Sequence, residues 1–330
     1  APQSISFQVT FADCGDEETA QKIAEQVNFI VTSFSKVFCL NRLDGITFAT
    51  DYKKALRDLD RGFKASRALE PTEGSHGVSI GMAPAVLRDG TLKWRIVMHA
   101  SVGDALLSDD QKAYREAAGI IWSLLAHVAF EQLINETLPG FLMNPIDDTY
   151  EGTLYAYSEA ALGAYFSGLL SAAFDPDPLE RSAELLATLA HQADEAISKG
   201  RNALGRESDI EALFHEAGAI LGHFLSTAAR ILGCMDGNAL DPSQMGALWK
   251  SLDDYGLGSW ISLFHTDLQH LFDQAGRWSS SDELLLVNRH LERLFWAFGI
   301  LPERMPPDSI YVHFFPKGRD GKSLASVFRQ

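Results

Sequence analysis

The chain has 330 residues, 46% of them hydrophobic and 22% charged, and its 28 basic against 44 acidic side chains give a formal net charge of −16. So acidic a surface excludes a general binder of nucleic acid or of anionic membrane, because phosphate contacts need Lys and Arg. Its 20 Phe, 8 Tyr and 6 Trp exclude a disordered chain, and the length is enough to bury a core without disulfide or metal staples.

Residues 4–11 alternate as a strand. The segment 16–38 puts Ile23, Val27, Ile30, Val31 and Phe34 at helical spacing, with Asp16, Glu17 and Glu18 in a first turn whose dipole favours them. A short strand at 45–49 and a short helix at 52–59 follow. Two strand-like runs, 78–87 and 91–101, are joined by Arg88-Asp89-Gly90, and Asp-Gly between such runs signals a hairpin. In the second run Trp94, Ile96 and Met98 face one side, and Arg95, Val97 and His99 the other.

From 108 onward the spacing predicts helices near 109–136, 152–174, 178–199, 207–233, 242–254, 259–276 and 281–298. Pro139 and Pro145 separate the first two, and Asp175-Pro176-Asp177-Pro178 the next. Pro302, Pro306 and Pro307 close the helical part, 309–315 alternates as a last strand, and the tail 317–330 is locally basic. No internal repeat is visible. The expected fold is α+β, with a sheet-bearing part over 1–107 and a helical part over 108–330.

Cys14, Cys39 and Cys234 are few, widely spaced and odd in number, which fits free thiols in a reducing compartment. The first residues lack a basic region followed by an apolar run. The longest uncharged stretches, 117–130 and 160–174, fall short of the roughly 20 residues of a spanning helix. A cytoplasmic protein is expected, with no membrane and no nucleic-acid partner.

The helix at 109–136 carries most of the chemistry. It is apolar almost all round, as a central buried helix is. Steps of three and four residues bring Glu116, Ile120, Ser123, His127 and Glu131 onto one face. His127 there reads as a satisfied core histidine or as part of a site.

The run Ile121-Trp122-Ser123-Leu124-Leu125-Ala126-His127-Val128 resembles the active-site helix of the bacterial zincin-type metallopeptidases, His-Glu-Leu-Ala-His-Val. In that pattern two His at i and i+4 reach one zinc, and the Glu between them activates its water. The order of a strand pair, then this helix, then a helical part also matches. The run 161–172 is similar to the helix that supplies the family's carboxylate ligand, and 232–237 to a family helix end. The resemblance implies a zincin-like fold.

The departures from the pattern concern its chemistry. Ser123 stands at the first His position and Leu124 at the Glu position, so only His127 remains. Gly163 and Ala164 stand before Tyr165 where a Glu is expected. A hydrolytic zinc needs about three protein ligands and an open position. The resemblance therefore implies a degenerate member without the HExxH zinc site. It would have no catalytic residue and no cofactor, and would bind a peptide or protein. The cleft candidates are Ser123, Leu124, His127, Glu131, Gly163, Ala164 and Tyr165, with strand 91–101 open to an added peptide strand. A homo-oligomer is a further possibility.

An active hydrolase is the alternative. A zinc enzyme would need atypical ligands such as His127 with Glu131 or His223. His215 and His223 are two turns apart, about 12 Å by helical rise, too far for one zinc. His265 and His270, five residues apart, do not share a helix face. Gly77-Val78-Ser79-Ile80-Gly81 is a literal G-x-S-x-G that offers Ser79 as nucleophile, but a hairpin rather than a helix follows it. Gly318 to Ser323 resembles a phosphate loop but has Pro316 where its first Gly should stand. The acidic pairs at 109–110, 147–148, 175/177 and 253–254 read as helix caps.

Overall fold

The computed structural model describes residues 6–13, 15–64, 68–71, 73–74, 77–174, 179–204, 207–241 and 246–315. Cys14, the Asp175/Asp177 pair, the 318–323 run and the basic tail lie outside the described residues. The fold is α+β, with a mixed sheet near the N-terminus and long helices after it. The chain divides into two compact units, one of Ala1–Leu133 with Ala173–Asp175, the other of Ile134–Ala172 with Pro176–Gln330.

The first unit is built on strands β1 (Gln8–Ala12), β2 (Leu43–Ala49), β5 (Gly81–Met82), β6 (Ala85–Arg88) and β7 (Thr91–His99), and the pair β3 (Glu73–Gly74) and β4 (Gly77–Val78) lies apart. Helices α1 (Glu17–Ser35), α2 (Tyr52–Arg57) and α3 (Ala100–Leu106) complete it, together with most of α4 (Gln111–Thr137). The sheet boundary expected at 107/108 falls between α3 and α4; up to Leu133, α4 belongs with the sheet.

β1, β2 and β7 run parallel, in register through Val9, Ile46 and Ile96. Parallel neighbours need a crossover between them, and α1 supplies the one from β1 to β2. Asp16 caps α1 by accepting from the Thr19 amide at 2.9 Å, and Ile23, Val27, Ile30, Val31 and Phe34 are its buried stripe. The α1 stripe is the one the spacing predicts.

β5 and β6 form an interrupted edge strand, both antiparallel to β7. The β6–β7 turn has Asp89 at φ 50° and Gly90 at φ 73°, the pair of positive values that suits a two-residue hairpin. β7 is an interior strand, with β2 on one side and β5 and β6 on the other. Strand 91–101 is therefore not open to an added peptide, which corrects the sequence-based expectation. The outer edge of β6 is covered as well. Leu87 donates its amide to Arg61 O at 2.7 Å, and Arg61 Nε donates to Ala85 O at 3.1 Å.

Ile46, Phe48, Trp94, Ile96 and Met98 are buried in the core of this unit. On the other face of β7, Val97 packs with Tyr52 and Leu56 of α2, and Arg95 spreads its guanidinium over three acceptors on β1 and β2. Nε reaches Thr47 at 3.0 Å, Nη1 Asp44 at 3.0 Å and Nη2 Thr10 at 2.9 Å. Gly45 makes room for it: a Cβ there would lie 2.8 Å from Arg95 Nη1 and 2.7 Å from Gln8 O.

The second unit contains α5 (Thr149–Ser171), α6 (Leu179–Asn202), α7 (Glu207–Gly237), α8 (Gly246–Asp253), α9 (Gly258–Asp273), α10 (Ser281–Leu285), α11 (Val287–Ala297) and a hairpin of β8 (Ile300–Met305) and β9 (Ser309–Phe314). α5 and α7 are its spine. Their backbones meet at glycines: a Cβ on Gly222 would lie 2.3 Å from Tyr157 O, and one on Gly233 2.1 Å from Tyr165 O.

Pro302, Pro306 and Pro307 do follow the last helix, α11, but Pro302 lies within β8, a strand that the sequence reading did not include. A two-stranded hairpin has two open edges, and a proline lacking its N–H is tolerated there. The predicted helix 281–298 is two helices, α10 and α11. α10 opens with a capping box of Ser280 and Glu283.

α4 and α7 contain 18-residue windows of mean hydropathy 1.5 and 1.3, long and apolar enough to span a membrane by composition alone, but 61% and 67% of those windows is buried inside the structure. Burial of that extent is what a core helix shows.

Candidate functional site

In the first unit α4 carries Ser123, Leu124, His127 and Glu131. Ser123, His127 and Glu131 follow one another at i, i+4 and i+8 along one face, and Ser123 is 8% exposed. Leu124 supports the edge strand. A Cβ on Gly81 of β5 would lie 2.8 Å from Leu124 Cδ1 and 3.2 Å from Met98 Cγ. The position at which the zincin resemblance would put a water-activating carboxylate is thus hydrocarbon packed onto strand backbone.

Burial alone pushes the His127 imidazole down to about 4 and the Glu131 carboxyl up to about 7. No neighbouring charge contributes to either shift. At pH 6 both groups are neutral, since Glu131 keeps its proton and His127 does not take one. The face is therefore a neutral stripe of hydroxyl, imidazole and carboxylic acid.

The α4 face alone does not complete a zinc site. A zinc ion needs about three donors with partners that orient them, and this face offers two, His127 and Glu131. Among the described residues no group of three or more His, Cys, Asp or Glu side chains could hold a metal ion.

Gly163, Ala164 and Tyr165 lie on α5, in the second unit, so the candidates of the two helices fall in different units. Tyr165 is 2% exposed and donates its hydroxyl to Asp236 Oδ2. Asp236, near the end of α7, also receives His265 Nε2 at 2.9 Å and Gln269 Nε2 at 3.0 Å. Burial pushes the Asp236 carboxyl up, but the hydrogen bonds from His265 and Tyr165 outweigh it, so it titrates below the usual carboxylate range. Burial and the Asp236 charge hold the Tyr165 phenol well above its ordinary value. Tyr165 is thereby a structural donor within its own unit. Sequence reasoning set His265 aside for its spacing to His270. The relevant spacing was His265 to Gln269, i and i+4, and their common acceptor lies on another helix.

Ser79 lies between β4 and β5 and donates its hydroxyl to Gly81 O at 2.8 Å. A strand follows it, so it does not occupy the strand-to-helix turn that exposes a hydrolase nucleophile. Ser79 and Leu124 meet the same glycine, one by a hydrogen bond and the other by packing. His223 is exposed on α7, and His215 contacts the Tyr157 hydroxyl.

A further polar group was not foreseen. Glu151 accepts from Arg289 at 3.2 Å, from Arg304 at 3.3 Å and from Asn288 at 2.8 Å, and Tyr150 donates to Glu292. These bonds tie the start of α5 to α11 and β8. The chain matches no protein-family model, no curated protein and no solved structure.

Proposed function

We propose that this chain is a non-catalytic, zincin-like protein of the cytoplasm that works by binding a peptide or protein. The observation that carries the reading is Leu124. It stands where the resemblance requires the general base, and its side chain packs on Gly81 rather than opening a space for water. A leucine cannot take a proton, and Ser123 beside it is a poor zinc ligand. The recognition face in this reading is the neutral stripe of Ser123, His127 and Glu131, which suits an uncharged polar segment better than a phosphate or a strongly charged peptide.

The test combines two measurements on tag-free full-length protein. Equilibrium dialysis against zinc is expected to load well below one ion per chain, with no turnover of a mixed peptide library. An array of uncharged polar peptides is expected to yield binders whose affinity falls about tenfold in Glu131→Leu or His127→Leu, each of which removes one hydrogen-bonding side chain. Stoichiometric zinc with peptide cleavage would overturn the reading. Binders indifferent to both substitutions would remove this face from it.

A hydrolase with atypical ligands is the second reading. The observation favouring it is the pair of strongly shifted groups on one helix face, since such shifts cluster at functional sites. Chelator-sensitive activity restored by zinc would establish it.

A further inference from the structure

The sheet of the first unit ends in two different ways. On the β6 side Arg61 closes the edge, its carbonyl accepting from the Leu87 amide and its Nε donating to Ala85 O. On the other side β1 pairs with β2 alone. In an extended strand the N–H and C=O of one residue point to the same side, and successive residues alternate. Ala12 O accepts from Thr50 N at 3.3 Å, and Gln8 O lies 2.7 Å from where a Cβ on Gly45 would be, so Gln8, Thr10 and Ala12 turn to β2. Val9 and Phe11 turn their N–H and C=O groups away from the sheet. Among the described residues neither makes a backbone hydrogen bond on that side.

Open strand edges are usually blunted by charge, proline or a bulge, because they template pairing with another chain. β1 has none of these. Residues 1–12 contain no Asp, Glu, Lys or Arg, 8–12 contain no proline, and the pairs with β2 follow one another without a shift in register. Val9 and Phe11 are only half-buried, on the core side of the sheet, where Phe11 stacks on Phe48 with 5.6 Å between ring centroids.

We propose that β1 pairs antiparallel with β1 of a second copy of this chain, about a two-fold axis at Thr10, and joins the two sheets into one. Val9 N–H then donates to O of the partner's Phe11 and Phe11 N–H to O of the partner's Val9, each bond made twice by symmetry. The half-buried Val9 and Phe11 side chains cover their counterparts on the core side. Charge selects this occupant. A chain of formal charge −16 repels its copy least along a strand with no charge of its own, and that strand offers a foreign peptide no charge to read. α1 runs back against β1, so the antiparallel arrangement sets its acidic first turn, Glu17 and Glu18, toward the end of the neighbouring α1 that carries Lys36. The inference does not rest on the α4 face.

Sedimentation equilibrium of the tag-free full-length protein across roughly 1–200 μM, the range a small interface implies, is expected to show a reversible monomer–dimer equilibrium. Hydrogen exchange read at single amides is expected to slow at Val9 and Phe11 as concentration rises, and to stay constant at Thr10 and Ala12, which face β2 in either state. This measurement needs no variant. Val9→Pro deletes an outward N–H, which an edge strand tolerates. It is expected to weaken dimerisation about thirtyfold, the loss of one backbone hydrogen bond and its symmetry mate, with an unchanged circular dichroism spectrum. A monomer at every concentration, a dimer whose Val9 and Phe11 amides exchange as fast as the monomer's, or a folded Val9→Pro chain that dimerises like the parent would each overturn the proposal. So would a monomer in which an added peptide slows Val9 and Phe11, which would make the edge a site for foreign strands.

Discussion

Replacing Gly233 by Ala tests the close approach of α5 and α7. A Cβ at this position of α7 would lie 2.1 Å from Tyr165 O and 2.8 Å from Leu169 N, both on α5, whereas real Cβ contacts essentially never fall under 3.0 Å. The helices must therefore part locally by nearly 1 Å. The obstacle is backbone held in a helix, which cannot turn aside as a side chain could. A gap of that size forfeits a quarter to a half of the dispersion attraction of the atoms beside it. Forcing a methyl group into a packed interior costs about 1–3 kcal/mol, and the better helix propensity of Ala returns about 1 kcal/mol. With rigid backbone opposite, the net loss should be about 2 kcal/mol, or a fall of about 4–8 °C in Tm for a unit of this size.

The control is Gly246→Ala. Nothing lies within 4 Å of a Cβ there, in the first turn of α8. It should gain up to about 1 kcal/mol. Urea titration followed by far-ultraviolet circular dichroism reads both, with the slope unchanged if only stability moves. A Gly233→Ala protein as stable as the parent would refute the close approach of α5 and α7.

Four other outcomes are expected. Arg95→Lys should cost about 1–2 kcal/mol in urea titration, because one ammonium cannot replace a fork reaching Thr47, Asp44 and Thr10 together; an unchanged midpoint would show the fork to be idle. Glu131 titrates in the folded chain at about 7, above its unfolded value, so it costs stability progressively as pH rises from about 4.3 to 7. Glu131→Gln should therefore stabilise by up to about 3 kcal/mol near pH 8 and change little near pH 4. His127, depressed to about 4, has the opposite slope, and His127→Gln should gain only at acid pH; stability curves parallel to the parent would contradict both. Asp236, held below its unfolded value, contributes stability that is present above about pH 4 and lost as pH falls through its folded value. Asp236→Asn should cost about 1.5–3 kcal/mol near pH 7, and the difference should shrink on acidification in the same titrations.

The candidate face on α4 was legible in the sequence because it is local. Ser123, His127 and Glu131 share a face by helical geometry alone, whatever packs around them. That Leu124 lies under Gly81 was not legible, since β5 reaches α4 only once β7 has brought the edge strand into the sheet. Tyr165 was singled out by resemblance, and its hydroxyl goes instead to Asp236, an acceptor on another helix. His290 gave no signal at all. Its Nε2 meets Asp267, which lies two helices earlier in the chain.

The residues by themselves determined what short-range forces decide. Asp16 caps α1, Asp89-Gly90 takes the positive φ values that turn the β6–β7 hairpin, and the apolar spacing of α1 sets the face it buries. Each depends on hydrogen bonds and sterics within a few residues. Only the tertiary structure decided that β7 is interior, that 300–305 is a strand despite Pro302, and that α5 and α7 touch through glycine. Strand partners and helix approach depend on backbone groups far apart in the chain. Their free energy comes from burial and pairing that exist only after the chain has folded.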